Sequence, residues 1–290
     1  MKILLAGASG LIGTALIQRL RPAHDCRLLT RSPGQDYTWA GTPGSVPLPA
    51  IDWADALISL NGAPLGRLPW TRQYRHQILA SRVDATTAIA QAIDQAQDPP
   101  KVWLSASAVG YYGDRGEEAL SEDSPAGSGF LADVTAAWEL ATASANQKSR
   151  VVTLRTGLVI SSRGALKPLF LATRLGLGSR VGSGQAWWPW VSLSDEVGGI
   201  IHALGCQTMS GPVNLVGPTP ARSDEVTRAL ARHMGRPYFL RLPGPVLRLA
   251  LGQAADGLLL ASQKVAPTRL EAAEYQFEHH TIAEAIADAD

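Results

Sequence analysis

The chain has 290 residues, enough for one large domain or a domain with an appendage, and its formal net charge is +1. With 46% hydrophobic and 18% charged residues it lacks the basic field that nucleic-acid binding requires, and it carries no acidic tail. No run reaches about 18 apolar residues, glycines interrupt MKILLAGASG too early for a signal-peptide core, and two isolated cysteines fit a reducing compartment. No membrane span and a cytoplasmic setting are therefore expected. The six histidines show no metal-ligand spacing.

Strand and helix alternate along the first 160 residues. KILLAG (2–7) reads as a short apolar strand, LIGTALIQRL (11–20) as a helix and CRLLTR (26–31) as a second strand. YTW (37–39) is a short third strand and ALISLNG (56–62) a fourth. A long helix follows from about Trp70 to Ala96, with Ile78, Ile89 and Ile93 on its stripe. KVWLSAS (101–107), a helix over LADVTAAWELATAS and a sixth strand, VVTLRTGLV (151–159), complete the alternation. This pattern predicts an α/β fold, a Rossmann-like doubly wound parallel sheet covered on both faces by helices. Beyond it come a helix from Ala165 to Leu175, an aromatic strand AWWPWVSL (186–193) and a returning strand PVNLVG (212–217). From Pro237 to the terminal TIAEAIADAD a small helical cap is expected. The expected division is 1–235 for the dinucleotide-binding part, with substrate-side insertions at about 164–192, and 236–290 for the C-terminal cap.

GASGLIG (7–13) lies between the first strand and the first helix. Gly7 permits the tight turn, Gly10 lets the backbone approach a pyrophosphate and Gly13 permits close packing, while Ser9, Leu11 and Ile12 complete the anion-facing helix start. The second strand ends in Thr30, Arg31 and Ser32, with no carboxylate before Asp36. An acid at this place takes the ribose hydroxyls of NAD, whereas a cation suits the 2′-phosphate, so NADP(H) is the expected cofactor.

GASGLIG, SLNGAP, LSASAVGYYGD, FLADVTAAWE, LRTGLVIS and GSGQAWWPWVSLSDE together resemble the extended short-chain dehydrogenase/reductase superfamily. Within it they resemble the atypical, YfcH-like epimerase family that carries a DUF1731 C-terminal domain. The resemblance covers essentially the whole chain and implies a small substrate-side helical domain beside the Rossmann-like one. It also implies that Asn61, Gly62 and Ala63 lie along the cofactor, and that Ser105 and Arg155, Thr156 and Gly157 border it. Ser107 would polarise a substrate carbonyl. The superfamily's Tyr-x-x-x-Lys is missing: Phe130 and Val134 stand in its place, and the sequence holds no other copy.

The hydroxyls left near Ser107 belong to Tyr111 and Tyr112. An unperturbed phenol is protonated at neutral pH and can donate, but without a nearby cation it is a poor base. Ser107, Tyr111 and Tyr112 are thus the candidate catalytic residues. Trp187, Trp188 and Trp190 are expected either as core or as a flat substrate wall with Gln185 as its polar handle; Trp70 would be a second wall. Asp195 reads as a helix-start residue, and Glu117, Glu118, Glu122 and Asp123 as a solvated loop face. Arg82 on the long helix is either a cofactor-facing cation or one partner of a surface ion pair. The expected activity is NADP(H)-dependent reduction of a small apolar carbonyl compound. The alternatives are a nucleotide-sugar epimerase or dehydratase and a non-catalytic NADPH-binding regulator. Oligomerisation stays open.

Overall fold

Seven parallel strands form the centre of the computed structural model, which describes residues 1–289. They are β1 (Lys2–Ala6), β2 (Asp25–Thr30), β3 (Tyr37–Thr38), β4 (Ala56–Ser59), β5 (Val102–Ala108), β6 (Arg150–Thr156) and β7 (Gly211–Leu215). Their spatial order is β7-β6-β5-β4-β1-β2-β3, every neighbouring pair parallel. The order reverses between β1 and β4, the switch point beyond whose carboxyl ends open α/β sheets bind ligands.

The strands are apolar on both faces because helices cover both. Labelled in chain order, the helices are α1 (Leu11–Leu20), α2 (Leu48–Trp53), α3 (Arg72–Gln95), α4 (Phe130–Leu140), α5 (Lys167–Arg174), α6 (Leu193–Gly205), α7 (Ser223–His233) and α8 (Gly244–Leu251), of which α5, α7 and α8 pack in a separate core. Alternate residues of β1 point to opposite layers: Leu4 packs with Ile89 and Ile93 of α3, whereas Ile3 and Leu5 pack with Leu16 and Leu20 of α1 and Ile200 of α6. The long helix starts two residues later than the sequence pattern places it, because the Thr71 hydroxyl caps it by accepting from the Tyr74 N–H.

The expected sixth strand, 151–159, is broken at Gly157. β6 ends at Thr156, and residues Leu158–Ile160 leave the sheet to pair in parallel with Trp190–Ser192. Gly157 allows this because a Cβ there would lie 2.2 Å from the Pro189 carbonyl oxygen. The expected aromatic strand is likewise interrupted at Pro189, and α6 starts at Leu193. A third core gathers Ile160, Phe170, Trp188, Trp190, Val226, Leu230, Leu247 and Ile286. The C-terminal residues thus share one core with residues 160–230. Asp290, last in the expected cap, lies outside the described residues.

Gly157→Ala tests the strand switch. Overpacking against a fixed carbonyl should lower stability by about 1–3 kcal/mol in denaturant titration, with the folded baseline retained. An unchanged midpoint would show that the Pro189 contact does not constrain the turn.

Candidate cofactor and active site

The expected site residues lie at or near the carboxyl edge of the sheet, contributed by β2, β1, β4, β5 and β6 in spatial order. Gly7 has φ +86°, and a Cβ there would meet the Leu60 backbone at 2.7 Å. Gly13 is closed in the same way, 2.4 Å from the Gly7 carbonyl oxygen. At Gly10 a Cβ would meet only that oxygen, at 3.6 Å, in otherwise open space. Ser9 and Gly10 are exposed, and the N–H groups of Leu11, Ile12 and Gly13 open α1 as its first-turn donors. The loop is therefore tight where it meets protein and open where an anion would approach. A dinucleotide pyrophosphate fits it on these grounds.

At the end of β2, the Thr30 hydroxyl donates to the Ser32 carbonyl at 2.7 Å. Arg31 and Ser32 are exposed, and Arg31 has no carboxylate partner among the described residues. Asp36 is occupied, accepting from the Leu28 N–H at 2.9 Å. Beyond β4, the Asn61 side-chain oxygen is buried without a partner, Gly62 is exposed, and the Ala63 N–H donates to Ser81 at 2.9 Å. Among the described residues Arg82 takes part in no ion pair: it reaches under this turn and donates to the carbonyls of Ile78 and Ala63.

The next group is a network that the sequence reading missed. Arg155 is 3% exposed and grips Glu139 of α4 with two hydrogen bonds, Nε to Oε1 at 2.8 Å and Nη2 to Oε2 at 2.9 Å. Although burial alone pushes the guanidinium down, its hydrogen bonds and charge attraction to Glu139 raise it above the usual arginine value. Ser107 donates to Glu139 Oε1 at 2.6 Å. Arg155 Nη1 also donates to the Tyr112 hydroxyl at 2.9 Å, and that hydroxyl donates to Asn214 at 2.7 Å.

Four further expected site residues are placed as follows. Tyr112 is fully buried, and its hydroxyl accepts from Arg155 and donates to Asn214. Burial raises this phenol above its usual value, an effect that Arg155 only partly offsets. Arg155 is paired with Glu139 through two nitrogens. The Ser105 side chain is buried within β5 and its hydroxyl has no partner, three residues short of the strand end. Thr156 turns its hydroxyl to Glu196 at 2.7 Å. Tyr111 differs: the Arg155 guanidinium lies 3.6 Å from its ring centre, and its hydroxyl makes no hydrogen bond among the described residues.

A cleft of about 470 Å³ opens between the turn after β5, the start of α4 and residues 253–263; Ser107, Tyr111, Tyr112 and Arg155 are not among its lining residues. Trp70 and Phe130 line it edge to face at 5.6 Å between ring centres, and Gly110, Gly113 and Leu131 add to its wall. Its charged lining residues are Arg75, Asp114, Asp133 and Asp256. Gln263 ties the far wall to the turn, donating to the carbonyls of Val109 and Gly113. Trp70 is thus at a cleft wall, whereas Trp188 and Trp190 are core residues with their indole N–H groups on the Leu259 and Thr219 carbonyls. Trp187 stacks with Arg222, and Gln185 is exposed with its carbonyl on that arginine. Asp195 is structural as expected, its backbone N–H capped by Ser192. Glu122 departs from the expected solvated face: it is buried, accepting from the N–H groups of Asn214 and Arg269. A more open depression of about 700 Å³, lined by Pro218, Tyr275 and His280 among others, contains none of the expected site residues.

Residues 3–216 match the model of the NAD dependent epimerase/dehydratase family. The chain belongs to that family. Residues 242–289 match a domain of unknown function, DUF1731. Epimerase family protein ML0860 of Mycobacterium leprae is 38% identical over 297 residues, covering 99% of this chain and 95% of that protein. The crystal structure of human epimerase family protein SDR39U1 (isoform 2) with NADPH superposes with a TM-score of 0.91 at 32% identity, covering 100% of this chain and 99% of that one. The UDP-glucuronic acid 4-epimerase of Bacillus cereus, in complex with UDP-glucuronic acid and NAD, shares the fold alone, with a TM-score of 0.76 at 16% identity. It covers 100% of this chain and 97% of its own.

Within this epimerase-family site one buried acid stands out. Glu196 is 0% exposed, accepts only from Thr156, and leaves its second oxygen without a partner. Burial pushes its carboxyl up to about 8, with Thr156 pulling slightly the other way. Between the unfolded value near ~4.5 and the folded one, the native state holds a proton that the unfolded state has lost, so stability falls as pH rises through that window. Glu196→Gln removes this term. Unfolding of both proteins between pH 5 and 8 should show the variant gaining on the parent by several kcal/mol, on the order of 3. A pH-independent difference would contradict the assignment.

Proposed function

We propose that this protein is an NADP(H)-dependent oxidoreductase that reduces a small, flat, apolar carbonyl compound. The observation that carries the reading is the pairing of an anion-ready glycine loop with an aromatic cleft at the same sheet edge. Gly7, Ser9, Gly10, Leu11, Ile12 and Gly13 form the pyrophosphate cradle, and Arg31 with Thr30 and Ser32 forms the seat for the 2′-phosphate. Asn61, Gly62 and Ala63 with Arg82 border the nicotinamide half. The NADPH carried by the human relative supports this choice of cofactor. Residues 236–290 act as the substrate-side cap, closing the cleft through Gln253, Gly257 and Gln263.

The cleft disfavours the nucleotide-sugar reading. A sugar nucleotide brings a diphosphate, yet Asp114 and Asp133 already outnumber the single cation, Arg75, even with Asp256 balanced by Arg248. A neutral ring system between Trp70 and Phe130 suits the lining. When bound, the reduced dinucleotide supplies hydride to the carbonyl carbon. Tyr111 supplies the proton to the oxygen and is reprotonated from solvent. Ser107 holds its own proton toward Glu139, so its role is to fix the network beside the reacting group.

Arg31→Asp should weaken NADPH about 10- to 100-fold and leave NADH nearly unchanged, read by fluorescence titration. Equal wild-type affinity for the two cofactors would overturn the preference. Against a panel of ketones, aldehydes and enones the protein should consume NADPH, and nucleotide sugars should be neither reduced nor epimerised. Tyr111→Phe should cut that turnover about 10²- to 10⁴-fold with NADPH affinity intact. Full activity in this variant would remove Tyr111 from the chemistry.

A further inference from the structure

Arg82 is a cation on an apolar stripe. It lies four residues after Ile78, on the same face of α3, and that face packs against α4, where Ile78 clusters with Val134. Trp138, one turn beyond Val134, lies 5.1 Å below the Arg82 guanidinium. No carboxylate pairs with Arg82 among the described residues; its acceptors are two neutral carbonyls, of Ile78 at 3.0 Å and Ala63 at 3.2 Å. A guanidinium has five donors, so three are left over.

A side chain on Gly62 would come within 3.0 Å of this guanidinium, so glycine keeps the turn open above it. The neighbouring Asn61 presents a buried side-chain oxygen with no partner. Both groups lie at the turn that ends β4. Burial pulls Arg82 down to about 10, countered only by Tyr74. Desolvating a cation without a counter-ion is unfavourable, and an anion arriving from the open side of the turn would relieve it.

We infer that Arg82 is the binding cation for the nicotinamide-nucleotide half of the dinucleotide, taking its phosphate and ribose oxygens from α3. This rests on the NADP(H) reading. A doubly wound sheet carries one mononucleotide on each side of its switch point. Arg31 at the end of β2 belongs to the adenosine side and Arg82 behind the end of β4 to the other.

The test compares NADPH with adenosine 2′,5′-bisphosphate, which lacks the nicotinamide half, by calorimetric titration of the full chain. Arg82→Met should weaken NADPH about 10- to 100-fold while leaving the bisphosphate unchanged. Arg82→Lys should restore part of the difference, and Arg31→Asp should weaken both ligands. Arg82→Gln gives the same comparison if the methionine variant loses cooperative unfolding. Equal losses for both ligands would make Arg82 a structural pin for the Ala63 carbonyl, and undiminished NADPH affinity would remove it from the site; either overturns the inference alone. A parent protein that binds neither ligand would overturn the NADP(H) reading beneath it.

Discussion

The buried ion pair between Arg155 and Glu139 holds the candidate active site together. It joins β6, the strand next to the sheet's edge strand β7, to α4, and through Ser107, Tyr112 and the Glu122 carbonyl it ties in β5, the turn after it and the following loop. Asn214 extends the same chain of hydrogen bonds to β7. Both charges give up water to form the pair, so removing one partner leaves the other stranded at a cost of about 3–5 kcal/mol. The geometry is demanding, with two parallel contacts below 3 Å. Such a pair is better suited to specifying one arrangement of strand and helix than to adding net stability.

That constraint sorts the hydroxyl groups of the site. Ser107 and Tyr112 are drawn inward by Glu139, Arg155 and Asn214, whereas Tyr111 offers Arg155 its ring face and keeps its hydroxyl free. One tyrosine is then a strut and the other a candidate donor, although they are adjacent in sequence and turn from the same short helix, Val109–Tyr112. The cleft needs the C-terminal residues, because Gln263 holds the turn and Gly257 leaves room against Leu131 and Trp70. The glycine-rich loop thus sits on the sheet, while one wall of the cleft comes from the far end of the sequence.

Much of the fold is legible in the sequence because alternating apolar strands and amphipathic helices leave a periodic trace. The glycine spacing at 7, 10 and 13 translates directly into two closed positions and one open one. What escapes the sequence is pairing across distance. Arg155 sits inside an otherwise apolar strand, which demands a buried carboxylate, yet nothing local identifies Glu139 as the partner. Arg82 carried a readable sign, since four-residue spacing from Ile78 places it on the buried stripe. The tryptophans at 188 and 190 gave no local sign of which side they face, because the break at Pro189 and the departure of 158–160 from the sheet decide it.

On the proposed function, groove and cleft meet at one reacting carbonyl. The most direct measurement is isotope transfer: the protein is incubated with NADPH deuterated on either face of C4 and with a flat aromatic ketone or enone, and the product is analysed by mass spectrometry. One deuterium is expected in the reduced product, from one face only, in proportion to NADPH consumed. NADPH that binds but transfers no label to any carbonyl or enone would contradict the proposed function.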